Sequence, residues 1–235
     1  MRNLVIFGFF VLLLVFVQFA QAQTADDIIN RHIDSMGGKA KLASLTSVRM
    51  TGNLSIQGND VAITVIKKHM VGNRVEFSVA GMDNYRTTTA TKGWVYIPVQ
   101  GQTAPEEMPD DQFKGMQAAQ DLQGPFVNYK DKGNKIEMTG KETVDGMECY
   151  KFKVTFKNGS QSDYYIDTKS YRLYRVSSKL NLNGEDRDVS TTFTNYKQNA
   201  GGFWFPYTST NQNGETDYDK IETNIPIDDK LFDKN

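Results

Sequence analysis

From Val48 onward the chain alternates apolar and polar residues with a period of two, the signature of strands with one buried face. Val48, Met50, Leu54 and Ile56 alternate with Arg49, Thr51, Asn53 and Ser55, and Gly58-Asn59-Asp60 turns the chain. Val61, Ile63 and Val65 continue on a return strand, and Val75, Phe77 and Val79 follow after Gly72-Asn73. Tyr85 to Thr91 and a short strand with Trp94, Tyr96 and Pro98 complete the first half. The rhythm resumes after Gly133 with Ile136 and Met138. Tyr150, Phe152, Val154 and Phe156 then alternate cleanly, Asn158-Gly159 and Asn183-Gly184 mark hairpins, and strands run on to Thr223. Turns this short join antiparallel neighbours.

Two segments follow the helical period instead. Thr24 with Asp26 and Asp27 reads as a capped, acidic helix start. Ile28, Ile29, Ile33 and Met36 keep helical spacing, Gly37-Gly38 stops the helix, and a second short helix covers Lys39 to Leu45. In the middle, Pro105 with Glu106 and Glu107 predicts a helix start, and Met108, Phe113, Met116 and Leu122 are its apolar residues. Gly115 makes one kinked helix and two short ones equally acceptable, and Gly124-Pro125 ends the stretch. The pattern predicts a mainly β (α+β) fold. About 10–11 antiparallel strands curl into a half-open barrel covered by the N-terminal helix and the mid-chain lid.

Composition changes the picture in two places. The apolar run Leu4 to Val17, behind Met1-Arg2-Asn3 and ahead of Ala20-Gln21-Ala22, reads as a signal peptide over residues 1–22. The competing reading is a membrane anchor, but an Ala-x-Ala site directly behind the apolar core favours cleavage. Residues 23–235 then form a single exported domain with no stable membrane insertion, and no cysteine at the junction offers a lipid attachment point. A net charge of −1 without a basic stretch argues against nucleic acid as a partner.

Candidate chemistry is sparse. The one cysteine, Cys149, reads as a small buried hydrophobe, and two histidines, His32 and His69, make a poor metal or nucleophile set. Gly37-Gly38-Lys39 lacks the spacing of a phosphate loop. No catalytic residues, cofactor or metal follow from the sequence. The methionines suit a pliable, greasy binding surface, although on spacing alone core packing explains them better. The lining expected is Met50, Leu54, Ile63, Val65, Phe77, Val79, Trp94 and Tyr96 on the strands, with Met108, Phe113 and Met116 forming a lid.

The order of elements resembles the LolA/LolB family of periplasmic, outer membrane lipoprotein-sorting carriers. The residues that carry the resemblance are Met36 to Lys39, Leu42 to Leu45, Val48 to Gly52, Lys92 to Pro98, Tyr165-Ile166-Asp167, Phe203 to Pro206 and Asp228 to Phe232. It implies a lipid-binding half-barrel that holds lipoprotein acyl chains, or other lipid, in an apolar cavity in the periplasm of a Gram-negative bacterium. An inner-membrane donor complex and an outer-membrane acceptor would be its partners, in a chaperone-like transport role. Lys67-Lys68-His69-Met70 stands where the soluble carrier has its functional arginine, so no arginine is carried over. Two competing readings remain. One is a non-enzymatic envelope sensor or protein-binding module on the same half-barrel. The other is a hydrolase or isomerase, which would need Arg49, Asp83, Arg86 or His69 to converge inside.

Overall fold

The computed structural model describes residues 23–56, 58–182 and 185–234; the expected signal peptide and the Asn183-Gly184 turn lie outside them. Helix α1 (Ala25–Ser35) begins as its sequence dictates. The Thr24 hydroxyl accepts from the Asp27 amide at 3.2 Å and Asp27 accepts from the Thr24 amide at 3.1 Å, a reciprocal cap. It ends where Gly38 donates to the Ile33 carbonyl and Gly37 to that of Asp34, both glycines at positive φ. Helix α2 (Lys39–Ala43) follows at once.

The strands form one antiparallel, curled and unclosed sheet. They are β1 (Ser47–Ile56), β2 (Asn59–Lys68), β3 (Gly72–Val79), β4 (Met82–Thr89), β5 (Gly93–Tyr96) and β6 (Glu106–Glu107) in the first half. The second half holds β7 (Lys135–Val144), β8 (Met147–Thr155), β9 (Gln161–Asp167), β10 (Leu173–Leu182), β11 (Glu185–Gln198), β12 (Trp204–Asn211) and β13 (Gly214–Thr223). The spatial order is β6-β5-β4-β3-β2-β1-β13-β12-β11-β10-β9-β8-β7, so every pair except β1–β13 is consecutive in sequence. The long-range pair joins the halves at the centre and leaves β6 and β7 as the edges. The chain from β6 to β7 must therefore travel from one edge to the other, and it does so across the inner face.

That crossing segment corrects the expected helix start. Glu106 and Glu107 are extended and pair with Val95 and Trp94, and the Met108 amide donates to Gly93 at 2.8 Å. A helix running through them would place Pro109 in its interior, where the ring removes a hydrogen bond and clashes. Helix α3 (Asp110–Met116) starts only after Pro109, and a 3-10 turn over Gln117–Gln120 follows. Pro98 likewise opens a 3-10 turn (Pro98–Gln100) instead of extending β5.

Two covers bury the sheet. On the inner face of β7–β10, Ile28, Ile29 and Ile33 of α1 join Phe126 and Val127 against Tyr150, Phe152, Val154, Tyr164 and Ile166. On the outer face of β2–β4 the C-terminal tail lies flat. Phe232 is 1 % exposed and packs with Ile66 and Ile227, and Gly72 leaves room for its ring. Lys68 pairs with Asp229 at 2.5 Å, and the Tyr85 hydroxyl donates to the Lys234 carbonyl at 2.7 Å.

Candidate lipid-binding hollow

The register decides which side chains face inward. Met50 opposes Val65, Ile63 opposes Phe77, and Ile221 of β13 opposes Met50. Met50, Ile63 and Val65 are buried with Val48 and Ile221, and Leu54, Val75, Leu122, Phe205 and Tyr207 pack against them. Phe77 and Val79 continue this face at its rim, half-buried. Trp94 and Tyr96 do not share it. The turn from Thr89 to Lys92 sets Gly93 opposite Thr88, so Trp94 opposes Thr87 and Tyr96 opposes Tyr85 on the outer face. The Tyr85 and Tyr96 rings meet there at 5.5 Å.

Of the three expected lid residues, Met108 and Phe113 pack on the inner face at Gly93, and none of the three lines the cavity described below. A Cβ on Gly93, which faces inward, would stand 3.1 Å from Met108 and 3.3 Å from Phe113, so these two side chains press onto bare backbone. Helix α3, which carries Phe113 and Met116, lies against β10 across the mouth. Residues 108–125 thus form a strap. Besides the apolar packing of Met108, Phe113 and Leu122, polar links attach it. Gln120 donates from its side chain to the Thr89 carbonyl and accepts at its own carbonyl from the Met70 amide. Lys132 donates to Asp121 at 2.6 Å and to the Gly124 carbonyl at 2.8 Å. His69 Nδ1 stands 3.6 Å from Asp121, beyond hydrogen-bond reach. Burial lowers the pKa of His69 despite this carboxylate, so at neutral pH Lys132 supplies the charge that holds Asp121.

Between the strap, the two N-terminal helices and β9–β12 lies an apolar cavity of about 190 Å³. Leu42, Leu45, Leu122, Phe126, Phe193 and Phe205 are among its walls. None of these six belongs to the lining expected from sequence, which was drawn from the first-half strands. The alternation of Phe203, just before β12, with Phe205 and Tyr207 on it carries the signal. What the sequence does not show is that α1 fills the β7–β10 side and confines free space to the middle. His32 also lines the cavity. Its Nδ1 lies 2.8 Å from the Tyr171 carbonyl, and burial pushes its pKa down to about 4, so the wall is uncharged at neutral pH. A hollow of this size falls below the roughly 300–1,000 Å³ usual for small-molecule pockets. A long ligand therefore requires the strap to move.

Nucleophilic chemistry finds little support. Cys149 is fully buried and its thiol is pushed up to about 11, chiefly by burial. Among the described residues no group of three or more His, Cys, Asp or Glu gathers as a metal site. Among them, too, no helix is long and apolar enough to cross a membrane.

No protein-family model matches the chain, and no curated protein matches it significantly by sequence. Solved structures do resemble it. One is a domain from Vibrio parahaemolyticus described as an outer membrane lipoprotein-sorting protein, with 14 % identity, 88 % of this chain and 95 % of that chain covered, and a TM-score of 0.54. Another is a LolA superfamily protein from Nitrosomonas europaea, with 16 % identity, 91 % and 99 % coverage, and the same TM-score. Agreement over nearly the whole of both chains, together with the open sheet and its crossing strap, gives this protein the LolA-like fold.

Proposed function

We propose that this protein is a non-enzymatic carrier of acyl chains, exported after removal of residues 1–22, and that its cargo is the lipid of lipoproteins bound for the outer membrane. The observation that carries the reading is the uncharged apolar cavity continuous, through Leu122, with the buried patch of Val48, Met50, Val65 and Ile221. A strap held by the packing of Met108, Phe113 and Leu122 and by polar links covers both. Opening it would join a cavity of about 190 Å³ to a longer apolar trough. Met50, Leu54, Ile63, Val65, Phe77 and Val79 would line the trough, with Met108, Phe113 and Met116 above it. Each methylene buried there contributes about 0.8 kcal/mol, so eight contribute roughly 6 kcal/mol before the cost of opening. The fold shared with the lipoprotein-sorting domain supports this cargo over other lipids.

The test is to purify the protein from the envelope of its own cells, extract it with organic solvent and analyse the extract by mass spectrometry. Co-purified lipid or acylated peptide supports the reading. An empty extract together with no uptake of a fluorescent fatty acid overturns it, and a stoichiometric protein partner in place of lipid would favour a docking module.

A further inference from the structure

At one end of the inner face lies a polar row, with Arg86 of β4, opposite Val75, as the next charged side chain along that face. Thr88 of β4, Asn73 of β3 and Lys67 of β2 are direct cross-strand partners on that face, next to Val48 of β1. Partners in such positions have Cβ atoms about 4.5–5.5 Å apart. Thr88 is fully buried and Asn73 is 4 % exposed, yet Thr88 Oγ1 and Asn73 Oδ1 have no hydrogen-bond partner among the described residues. No carboxylate or carbonyl among those residues reaches Lys67 either. Its neighbours are treated differently: Lys68 has Asp229 on the outer face, His69 has Asp121 nearby, and Arg74 has Glu76 at 2.6 Å. Burial lowers the pKa of Lys67, as it does for an ammonium without a counter-ion.

Unpartnered polar groups under an apolar cover are costly unless a ligand completes them. The three side chains offer an ammonium, a hydroxyl and an amide, all able to donate to oxygen once the amide turns its nitrogen inward. An anionic oxygen cluster can accept from all three, whereas a neutral ester carbonyl with two lone pairs cannot. The row also lies at one end of the trough, beside Val48, Val65 and Leu122, so a head held there would send its tail along the apolar face. We infer that Lys67, Asn73 and Thr88 form a head-group subsite for an amphiphile with anionic oxygens, a fatty carboxylate or a lipid phosphate. The inference rests on the acyl-carrier reading, and it sets an anionic amphiphile in the place of the neutral acyl groups of a lipoprotein as the ligand of this hollow.

The experiment titrates the delipidated protein with two matched probe pairs and reads fluorescence. One pair is pyrenedodecanoic acid and its methyl ester. The other is a pyrene-labelled phosphatidic acid and the corresponding diacylglycerol. The charged member of at least one pair should bind 10-fold or more tighter than the neutral one, and the pair that shows this names the source of the anion. K67M and K67Q should abolish the preference and leave neutral-probe affinity within 2-fold, and T88V should reduce it several-fold. Thermal unfolding near the wild-type Tm is expected for K67M, since half-buried Lys67 has no ion pair to lose. Equal affinity within both pairs overturns the subsite while leaving the carrier reading intact, as does a preference that survives K67M and K67Q. If no probe of any kind binds, both readings fall together.

Discussion

Replacing Asp121 by Asn tests whether the strap is latched. The Asp121 carboxylate accepts from Lys132 Nζ at 2.6 Å, and the two side chains are 16 % and 23 % exposed. An exposed ion pair contributes about 0–1 kcal/mol. Breaking a fully buried pair costs about 3–5 kcal/mol, because a charge is left without compensation. This pair lies between those limits, and Lys132 keeps the Gly124 carbonyl at 2.8 Å when the carboxylate is lost. A loss of about 1–2 kcal/mol follows, a factor of roughly 5–30 in the strap-opening equilibrium. The asparagine retains an oxygen for the Gln123 amide that Asp121 accepts at 3.1 Å, so local geometry is preserved. Hydrogen exchange is the assay. Amides of residues 110–122 should exchange about 5- to 30-fold faster in D121N, those of β8 and β9 should be unchanged, and uptake of a fluorescent acyl probe should accelerate by a similar factor. If the variant loses protection uniformly across the sheet, or if uptake is unchanged while the strap exchanges faster, the Asp121–Lys132 pair is not a latch on the cavity.

Gly93→Ala should lift the strap from beneath, because the new methyl group would sit 3.1 Å from Met108 and 3.3 Å from Phe113; faster probe entry with a small drop in Tm is expected. Phe232→Ala should cost about 3–5 kcal/mol in urea unfolding, since its ring is 1 % exposed and anchors the C-terminal tail on β3, without altering the acyl probe's affinity. His32 gives a pH signature. Its folded pKa of about 4 lies below the ordinary 6.5, so the unfolded chain takes up the proton first. The stability it contributes is complete above pH 6.5 and is lost as the pH falls towards 4, by at most roughly 3 kcal/mol. His32→Asn, which can still donate to the Tyr171 carbonyl, should flatten the slope of Tm against pH over that interval.

Local physics was legible in the sequence wherever one residue type settles a backbone choice. Thr24 and Asp27 announced the start of α1, Gly37-Gly38 its end, and the period-two alternation gave most strands and their antiparallel pairing. The errors arose where a neighbour in space decides. Glu106 and Glu107 suit a helix N-terminus, yet the free edge of β5 captures them and Pro109 delays the helix. Trp94 and Tyr96 look like inward residues of an amphipathic strand, but the register after Thr89 turns them outward. The site was half legible. Met50, Ile63 and Val65 could be placed on one buried face from spacing alone, whereas the cavity walls Leu45, Leu122 and Phe193 meet only because β1 pairs with β13 and the strap crosses between the two edges. Pairings across more than 150 residues leave no local trace in composition.

The central claim is that the space beneath the strap accepts an acyl chain, and affinity as a function of chain length tests it most directly. Saturated fatty acids from eight to eighteen carbons, titrated as competitors of a fluorescent acyl probe, should gain about 4-fold in affinity per added methylene, the equivalent of about 0.8 kcal/mol each. The gain should then level off when the opened trough is full, and Leu122→Trp should move that plateau to shorter chains. Affinity independent of chain length, or a plateau unmoved by the Leu122 substitution, would place the lipid on the outside of the protein and contradict the account.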